Sequence, residues 1–246
     1  MISSLFATLI YNPLYNGLIL FIDLIPGGDA GFAVILITIA VKLILFPLSM
    51  KAVRTQMVIR EIEEPLKAIQ EKYKDDKQAQ AMHVMALYKE KGVNPFSSIL
   101  VLFIQLPIIL GLYWVFLKGG LPSVNTEILY SFIQTPENVD MMFLGMVDMA
   151  GRSVILALLA GATQYFQTKL SLPPMKARNT ENPSFKDDLA HSFQLQMRYV
   201  LPVIVFVISY SISAAIALYW TTSNIFTIAQ ELYVRRRYKK EHSTQE

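Results

Sequence analysis

The sequence predicts an all-α polytopic membrane protein, with a five-helix transmembrane core, a cytoplasmic helical hairpin and an N-terminal interfacial amphipathic helix. Three observations lead there. Hydrophobic residues make up 53% of the chain and charged ones only 17%, against roughly a quarter charged in a soluble domain. Uncharged stretches of span length recur: 26 residues between Lys91 and Lys118, 16 between Arg152 and Lys169, and 32 between Arg198 and Glu231. Lys and Arg are absent from residues 1–41 and 119–151 but crowd into 51–91, 169–198 and the C-terminal tail.

Residues 1–30 come first. Met1 to Ile22 carries no charge, Asn12 reads as an N-cap and Pro13 as the first helical residue. Leu14, Leu18, Phe21, Ile22 and Ile25 then share a helical face, which Pro26-Gly27-Gly28 ends. The pattern suits a short amphipathic helix on the outer membrane surface, with a spanning helix as the alternative. A signal peptide would want a basic start and a small-residue cleavage site, and neither is evident.

The first span is placed at 31–50. Between Phe32 and Leu48, Lys42 is the only charge and Thr38 the only other polar side chain. A cation near the middle of a membrane helix costs about 2.5–3.5 kcal/mol on insertion scales. Lys42 therefore either snorkels to the cytoplasmic interface, about 10 Å away, or faces a polar cavity together with Thr38, one turn earlier on the same face.

Residues 51–95 form the charged cytoplasmic hairpin. Ile62, Leu66, Ile69 and Tyr73 make one apolar stripe, with Pro65 as a kink. Asp75 opens a second helix with Gln78 at the capping-box position, and Ala79, Met82, Met85 and Ala86 form its apolar face. Gly92 and Asn94-Pro95 close it. A loop this long and this helical does more than connect.

The remaining spans follow at 97–117, 152–170, 197–212 and 214–232, separated by an outer loop at 118–151 and a cytoplasmic loop at 171–196. The 32-residue uncharged stretch is too long for one span of about 20 residues, so it divides at a tight turn near Ser211–Ser213. Polar residues inside these spans are Gln105 beside Pro107, Gln164 and Gln167, and then Thr221, Thr222, Ser223, Asn224 and Gln230. Singly, Gln164 or Asn224 reads as interhelical glue; together with a central lysine they point to a shared hydrated cavity. The tail, 233–246, holds Arg235, Arg236, Arg237, Lys239 and Lys240. By the positive-inside rule the Lys/Arg-rich segments face the cytoplasm, giving N-out and C-in. Four spans would throw the basic tail outside.

No catalytic signature is present. The phosphate-loop, zinc-helix and nucleophile-elbow motifs are absent, and His83, His191 and His242 share no spacing. With no cysteine, thiolate metal sites and lipidated cysteine anchors are excluded. The chain reads as a non-enzyme with no cofactor and no metal.

At this point the sequence becomes recognisable. MALYKEKGVNPFSSILVLFIQLPIILGLYWVF resembles the signature of the YidC/Oxa1/Alb3 family of membrane protein insertases. IAVKLILFPLSMKAVRTQM resembles its first core span, EEPLKAIQEKYKDDKQ its cytoplasmic hairpin, and LYWTTSNIFTIAQELYVRR its last span. The resemblance runs from about residue 12 to 237. It implies a bacterial plasma-membrane protein whose five-helix core encloses a positively charged groove, open to cytoplasm and lipid and closed outside. Lys42 would be the groove cation, with Thr38, Gln105, Gln164, Thr222 and Asn224 around it. Tyr219 and Trp220 would lie where a substrate helix slides past. It further implies nascent membrane proteins and the lipid bilayer as partners, with the ribosome and the Sec translocon beside a working monomer. The basic tail would contact ribosomal RNA. The family most often has arginine at the Lys42 site, so charge persists here but the two-pronged donor geometry does not. The large extracytoplasmic domain of Gram-negative relatives is expected to be missing.

Two rival classes remain at this level. A small transporter or channel would use Lys42 as an ion site, but it predicts internal repeats and paired broken helices, which the sequence lacks. An assembly factor would bind partner helices without moving them. The topology is checked directly by single cysteines: Ser123→Cys and Ser243→Cys should react with impermeant reagents from opposite sides of the membrane. Reaction from the same side would sink the division at Ser211–Ser213.

Overall fold

The computed structural model describes residues 4–94, 97–117, 121–172 and 192–243. Most of the expected cytoplasmic loop 171–196 therefore lies outside the described residues, as does the end of the tail. The chain divides into two compact bodies, Met1–Leu43 with Leu106–Ile228, and Ile44–Gln105 with Ala229–Glu246. It is mostly helical. Helices α1 (Ser4–Leu24) and α8 (Ser192–Ile212) are individually long and apolar enough to cross a membrane. Helices α2 (Ala30–Ile44) and α3 (Phe46–Glu61) would add a third span if the pair is counted as one.

In the first body, α1 corrects the expected helix start. The helix does not begin at Asn12 but at Ser4, and it runs straight through Asn12-Pro13. A wide π turn over Ala7–Tyr11 makes this possible: the Asn12 N–H reaches back five residues to the Ala7 carbonyl, ahead of the proline that has no N–H to give. Of the residues expected to share an apolar face, Leu14, Leu18 and Ile22 are buried within the protein, joined by Tyr15 and Ile19, while Phe21 and Ile25 stay half-buried.

Helix α1 also carries the outer loop. Asn16 donates to the Asn12 carbonyl at 2.8 Å and to the Ile128 carbonyl at 2.9 Å, and accepts from the Tyr130 N–H at 2.7 Å. The Tyr15 hydroxyl accepts from the Asn125 N–H at 2.7 Å. The loop contains a small antiparallel hairpin, β1 (Met142–Phe143) and β2 (Val147–Asp148), which the all-α expectation omitted. Two-residue strands leave too short an alternation to read. The loop then supplies partners for helix ends, whose first N–H groups have none of their own. Asp140 O accepts from Ala30, and Gly151 O and Met149 O accept from Ala214 and Ala215 at the start of α9 (Ala214–Ser243).

Asp29 is the joint of this arrangement. Its Oδ1 accepts from the Gly31 and Phe32 N–H groups at 2.7 and 3.0 Å, capping α2, while Oδ2 accepts from the Leu144 N–H at 3.1 Å. Helix α7 (Val154–Ser171) is capped by Ser153, whose Oγ accepts from Leu156 at 3.3 Å. It packs along α8 at Gly161, where an added Cβ would press on the Pro202 carbonyl and Phe206. The break between α8 and α9 falls at Ser213 in extended backbone, where the turn was expected. The span expected at 97–117 coincides with α6 (Ser97–Leu117), whose outer half, from Leu106, belongs to this body.

The second body starts where the span expected at 31–50 breaks, at Leu45, two residues before Pro47. Helix α3 runs on to Glu61; the chain breaks again at Ile62, so that Pro65 falls in the first turn of α4 (Glu63–Lys72) rather than kinking a longer helix. Asp76, not Asp75, caps α5 (Lys77–Glu90), accepting from Gln78 and Ala79 at 3.1 and 2.9 Å, and Gln78 has no part in a capping box. Gly92 ends α5 with φ at 65°. The expected apolar face of α5 is also corrected. Leu87 is buried and His83 stacks on Tyr73 at 4.3 Å, while Met82 and Met85 are exposed beside a groove of about 560 Å³ that Val93 and Lys89 help line.

Because one carboxylate caps α2 and ties down the hairpin, Asp29→Ala should lower stability by about 1–2 kcal/mol, the usual worth of a lost cap. Asp29→Asn, which keeps an acceptor, should lose less. Unfolding midpoints in detergent, titrated with SDS, would check this; equal midpoints for Asp29→Ala and wild type would remove Asp29 from the joint.

Candidate functional site

The first body exposes apolar side chains and, beside an apolar core, buries a set of polar ones. Its helices show large apolar side chains on the outside, among them Leu36, Leu43, Ile155, Leu158, Phe166, Val203 and Val207. Its buried set includes Thr38, Gln164, Thr168, Ser209, Ser213, Thr221, Ser223 and Asn224. In water so much exposed apolar surface would aggregate; against lipid it is the expected outside, and the polar groups turn inward to find partners.

Helix α9 organises those partners. Trp220, Asn224 and Thr227 recur at i, i+4 and i+7 and so share one face. The Trp220 indole donates to Gln164 Oε1 on α7 at 3.2 Å, and the Asn224 amide donates to the Thr163 hydroxyl at 3.3 Å. Gln164 in turn donates to Gln167 and to Thr168, each at 3.1 Å, and Gln167 donates to Ser171 at 3.0 Å. A polar ladder thus climbs α7 and is bolted to α9.

One turn further along α9, Thr227 meets the cation. Lys42 Nζ on α2 donates to Thr227 Oγ1 at 3.2 Å, and Thr227 donates on to the Ser223 carbonyl at 2.8 Å. Lys42 is half-buried and, among the described residues, has no carboxylate partner. Its ammonium is therefore directed at a neighbouring helix. The site is a charge held by one hydroxyl, not an ion pair, and among the described residues no cluster of carboxylate and histidine groups could hold a metal.

The other expected site residues divide as follows. Thr38 lies one turn from Lys42 but is buried, and its hydroxyl donates to the Val34 carbonyl of its own helix at 2.6 Å. Thr222 lies on the opposite side of α9 from Asn224 and bonds the Leu218 carbonyl at 2.8 Å. Tyr219 is 2% exposed, packed within the protein, while Trp220 is half-buried. Gln105 belongs to the second body and is half-buried there. The sequence reading passed over Thr227 and Thr163. Helical spacing was the signal that could have found Thr227, seven residues after Trp220 and three after Asn224.

In the second body the basic tail is part of a helix. Arg235 reaches the buried carboxylate of Glu231 at 2.6 Å, and Arg237 reaches Glu241 at 2.9 Å. Arg54 of α3 also approaches Glu241, at 3.4 Å. Tyr238 donates to Glu61 of α3 at 2.8 Å; burial and the neighbouring carboxylate push its hydroxyl up to about 12. Gln230 donates to the Ser49 hydroxyl at 2.6 Å. Arg236 and Lys240 are exposed; the Lys239 side chain is outside the described residues.

Comparison with known proteins agrees with this picture. The profile of the family described as 60Kd inner membrane protein matches residues 21–241. A protein of Clostridium tetani named Membrane protein insertase YidC is 33% identical over 216 residues, covering 87% of this chain and 86% of its own. One of the same name from Francisella tularensis subsp. novicida is 32% identical over 215 residues; there the matched part is 87% of this chain but only 34% of the relative. Neither name describes an enzyme.

Gln164 is the one side chain that joins the α7 ladder to Trp220. In a Trp114→Phe background, Gln164→Leu should shift the Trp220 emission measurably, since its indole N–H loses its acceptor, and cost about 1–3 kcal/mol of stability. An unchanged spectrum would show that the bond at 3.2 Å is not formed in the membrane.

Proposed function

The chain belongs to the 60Kd inner membrane protein family, and from that premise we propose that it is a membrane protein insertase. It moves hydrophobic segments of newly made proteins from the cytoplasm into the bilayer through a hydrated, positively charged groove, without ATP. The observation that carries this reading is Lys42: an ammonium within an apolar helix, directed at Thr227 and paired with no carboxylate among the described residues. An ammonium has three donors, so one hydroxyl leaves capacity for an arriving acidic group.

The energetics require nothing more than a shortened path. Passing an apolar segment from water to lipid is downhill by roughly 25 cal/mol per Å². The obstacle is the polar flank, and a wet half-channel with a cation inside lowers it for acidic flanks. On this reading five spans, N-out and C-in, surround Lys42, Thr38, Gln105, Gln164, Thr222 and Asn224. Substrate helices pass near Trp220, and the hairpin of α4 and α5 is a docking surface or lid. The basic tail, Arg235, Arg236, Arg237, Lys239 and Lys240, contacts ribosomal RNA, with Arg236 exposed on its helix. The working unit is a monomer, beside the Sec translocon.

Reconstitution into liposomes with a newly made single-span substrate tests the proposal. Lys42→Arg should insert at close to the wild-type rate, because position and charge persist. Lys42→Ala and Lys42→Glu should be impaired, most for substrates whose translocated tail carries Asp or Glu, while remaining folded. Wild-type rates for Lys42→Ala with acidic tails would refute the electrostatic role. Substrate binding without insertion by the wild type would favour an assembly factor.

A further inference from the structure

The outer loop presents apolar side chains that its own packing does not use. Phe132 and Met146 are 75% and 74% exposed, and Leu144 is 54% exposed. Leu144 and Met146 flank the tip of the β1–β2 hairpin, with Gly145 between them. Leu144 has φ at 54° and is the one non-glycine residue with positive φ among the described residues. Backbone there favours glycine or asparagine, so a leucine is held against local preference.

The tip is also held at a definite level. The Leu144 N–H is fixed by the same Asp29 carboxylate that caps α2. The ring of Phe143 covers Gly31 and meets Phe32 edge-on at 5.2 Å. The tip thus stands beside the first turn of a helix whose outward face continues as Phe32, Leu36 and Leu43, all exposed. The charges between residues 119 and 151 are four carboxylates, Glu127, Glu137, Asp140 and Asp148, and none of them lies at the tip.

We propose that the hairpin tip, Leu144 and Met146, inserts into the lipid interface of the outer leaflet and anchors the extracytoplasmic loop to the membrane. The occupant of this surface is lipid, because the tip prolongs the apolar face of α2. A hairpin pinned through a helix cap moves with that helix, so the anchor fixes the depth of α2, and with it of Lys42, relative to the bilayer. The anchoring itself does not depend on the insertase reading.

The chain has no cysteine, so one label can be placed at will. Full-length Met146→Cys, carrying an environment-sensitive fluorophore, is placed in nanodiscs of phosphatidylcholine and phosphatidylglycerol. Glu137→Cys on the same loop and Leu36→Cys on α2 serve as aqueous and lipid references. Shallow nitroxide-labelled lipids should quench position 146 severalfold more than position 137, and aqueous iodide should do the reverse. Iodide quenching at 146 equal to that at 137, without lipid quenching, overturns the proposal. Shielding of 146 from both quenchers overturns it too, and would assign the tip to a second copy of the chain. The label at 146 sits on an exposed side chain, and unchanged melting of the labelled protein confirms that the loop is intact.

Discussion

Most of the first body follows from one constraint: in hydrocarbon no water is at hand to satisfy a polar group, so its partner must lie within the protein, and among the described residues the buried Ser209 hydroxyl is an exception. The hydroxyls obey it locally. Thr38, Thr163, Thr221, Thr222 and Thr227 all donate to a carbonyl one turn back on their own helix. The amides also reach across: Asn16 bonds its own helix at Asn12 and the loop at Ile128, Asn224 bonds Thr163, and Gln164 takes the Trp220 indole. Helix ends obey it through the outer loop, whose carbonyls and Asp29 take up the first N–H groups of α2 and α9. The 121–151 loop thus solvates the helix ends that meet it.

Proline sets where the helices stop being continuous. Pro47 breaks the long apolar run at Leu45, and Pro65 falls just after the break at Ile62. Pro107, by contrast, stays inside α6. Just after the first break the Ser49 hydroxyl donates to Leu45 O and Phe46 O at 3.0 and 3.1 Å, beside the Ser49 N–H that also bonds Leu45 O, and Gln230 donates to the Ser49 hydroxyl. A glutamine that the sequence alone would place among cavity residues instead attends a proline break.

Much of this was legible in the sequence because membrane segments are written in composition. Charge-free length found α6, α7 and the division at Ser213, and the central lysine singled out α2. The misses have physical causes. The start of α1 was misplaced because Asn-Pro is a good helix opening on local grounds, and only a π turn, which no pattern announces, lets the helix precede it. The hairpin face was misjudged because Met82 and Met85 look like core by hydrophobicity, whereas His83, aromatic and polar at once, stacks on Tyr73. The loop hairpin escaped because strands of two residues have no period. Within the site, residue types were found but pairing was not: Thr38 and Thr222 spend their hydroxyls on their own helices, and Thr227, one more threonine in a polar run, holds the cation.

The choice of lysine over arginine at this position acquires a meaning from that pairing. A guanidinium grips a carboxylate with two parallel donors; an ammonium is a compact charge with no preferred fork. At 4 Å and an effective dielectric near 20, a lone carboxylate would gain roughly 4 kcal/mol from Lys42, comparable with the cost of keeping a cation in the span. The Thr227 hydroxyl, neutral and itself donating to the Ser223 carbonyl, offsets only part of that cost. The proposed groove is therefore poised to attract an acidic tail and not to retain it. A stronger fixed partner, such as a carboxylate on α9, would stabilise the helix and abolish the attraction. For a protein that must release what it binds, an under-satisfied charge is the more useful state.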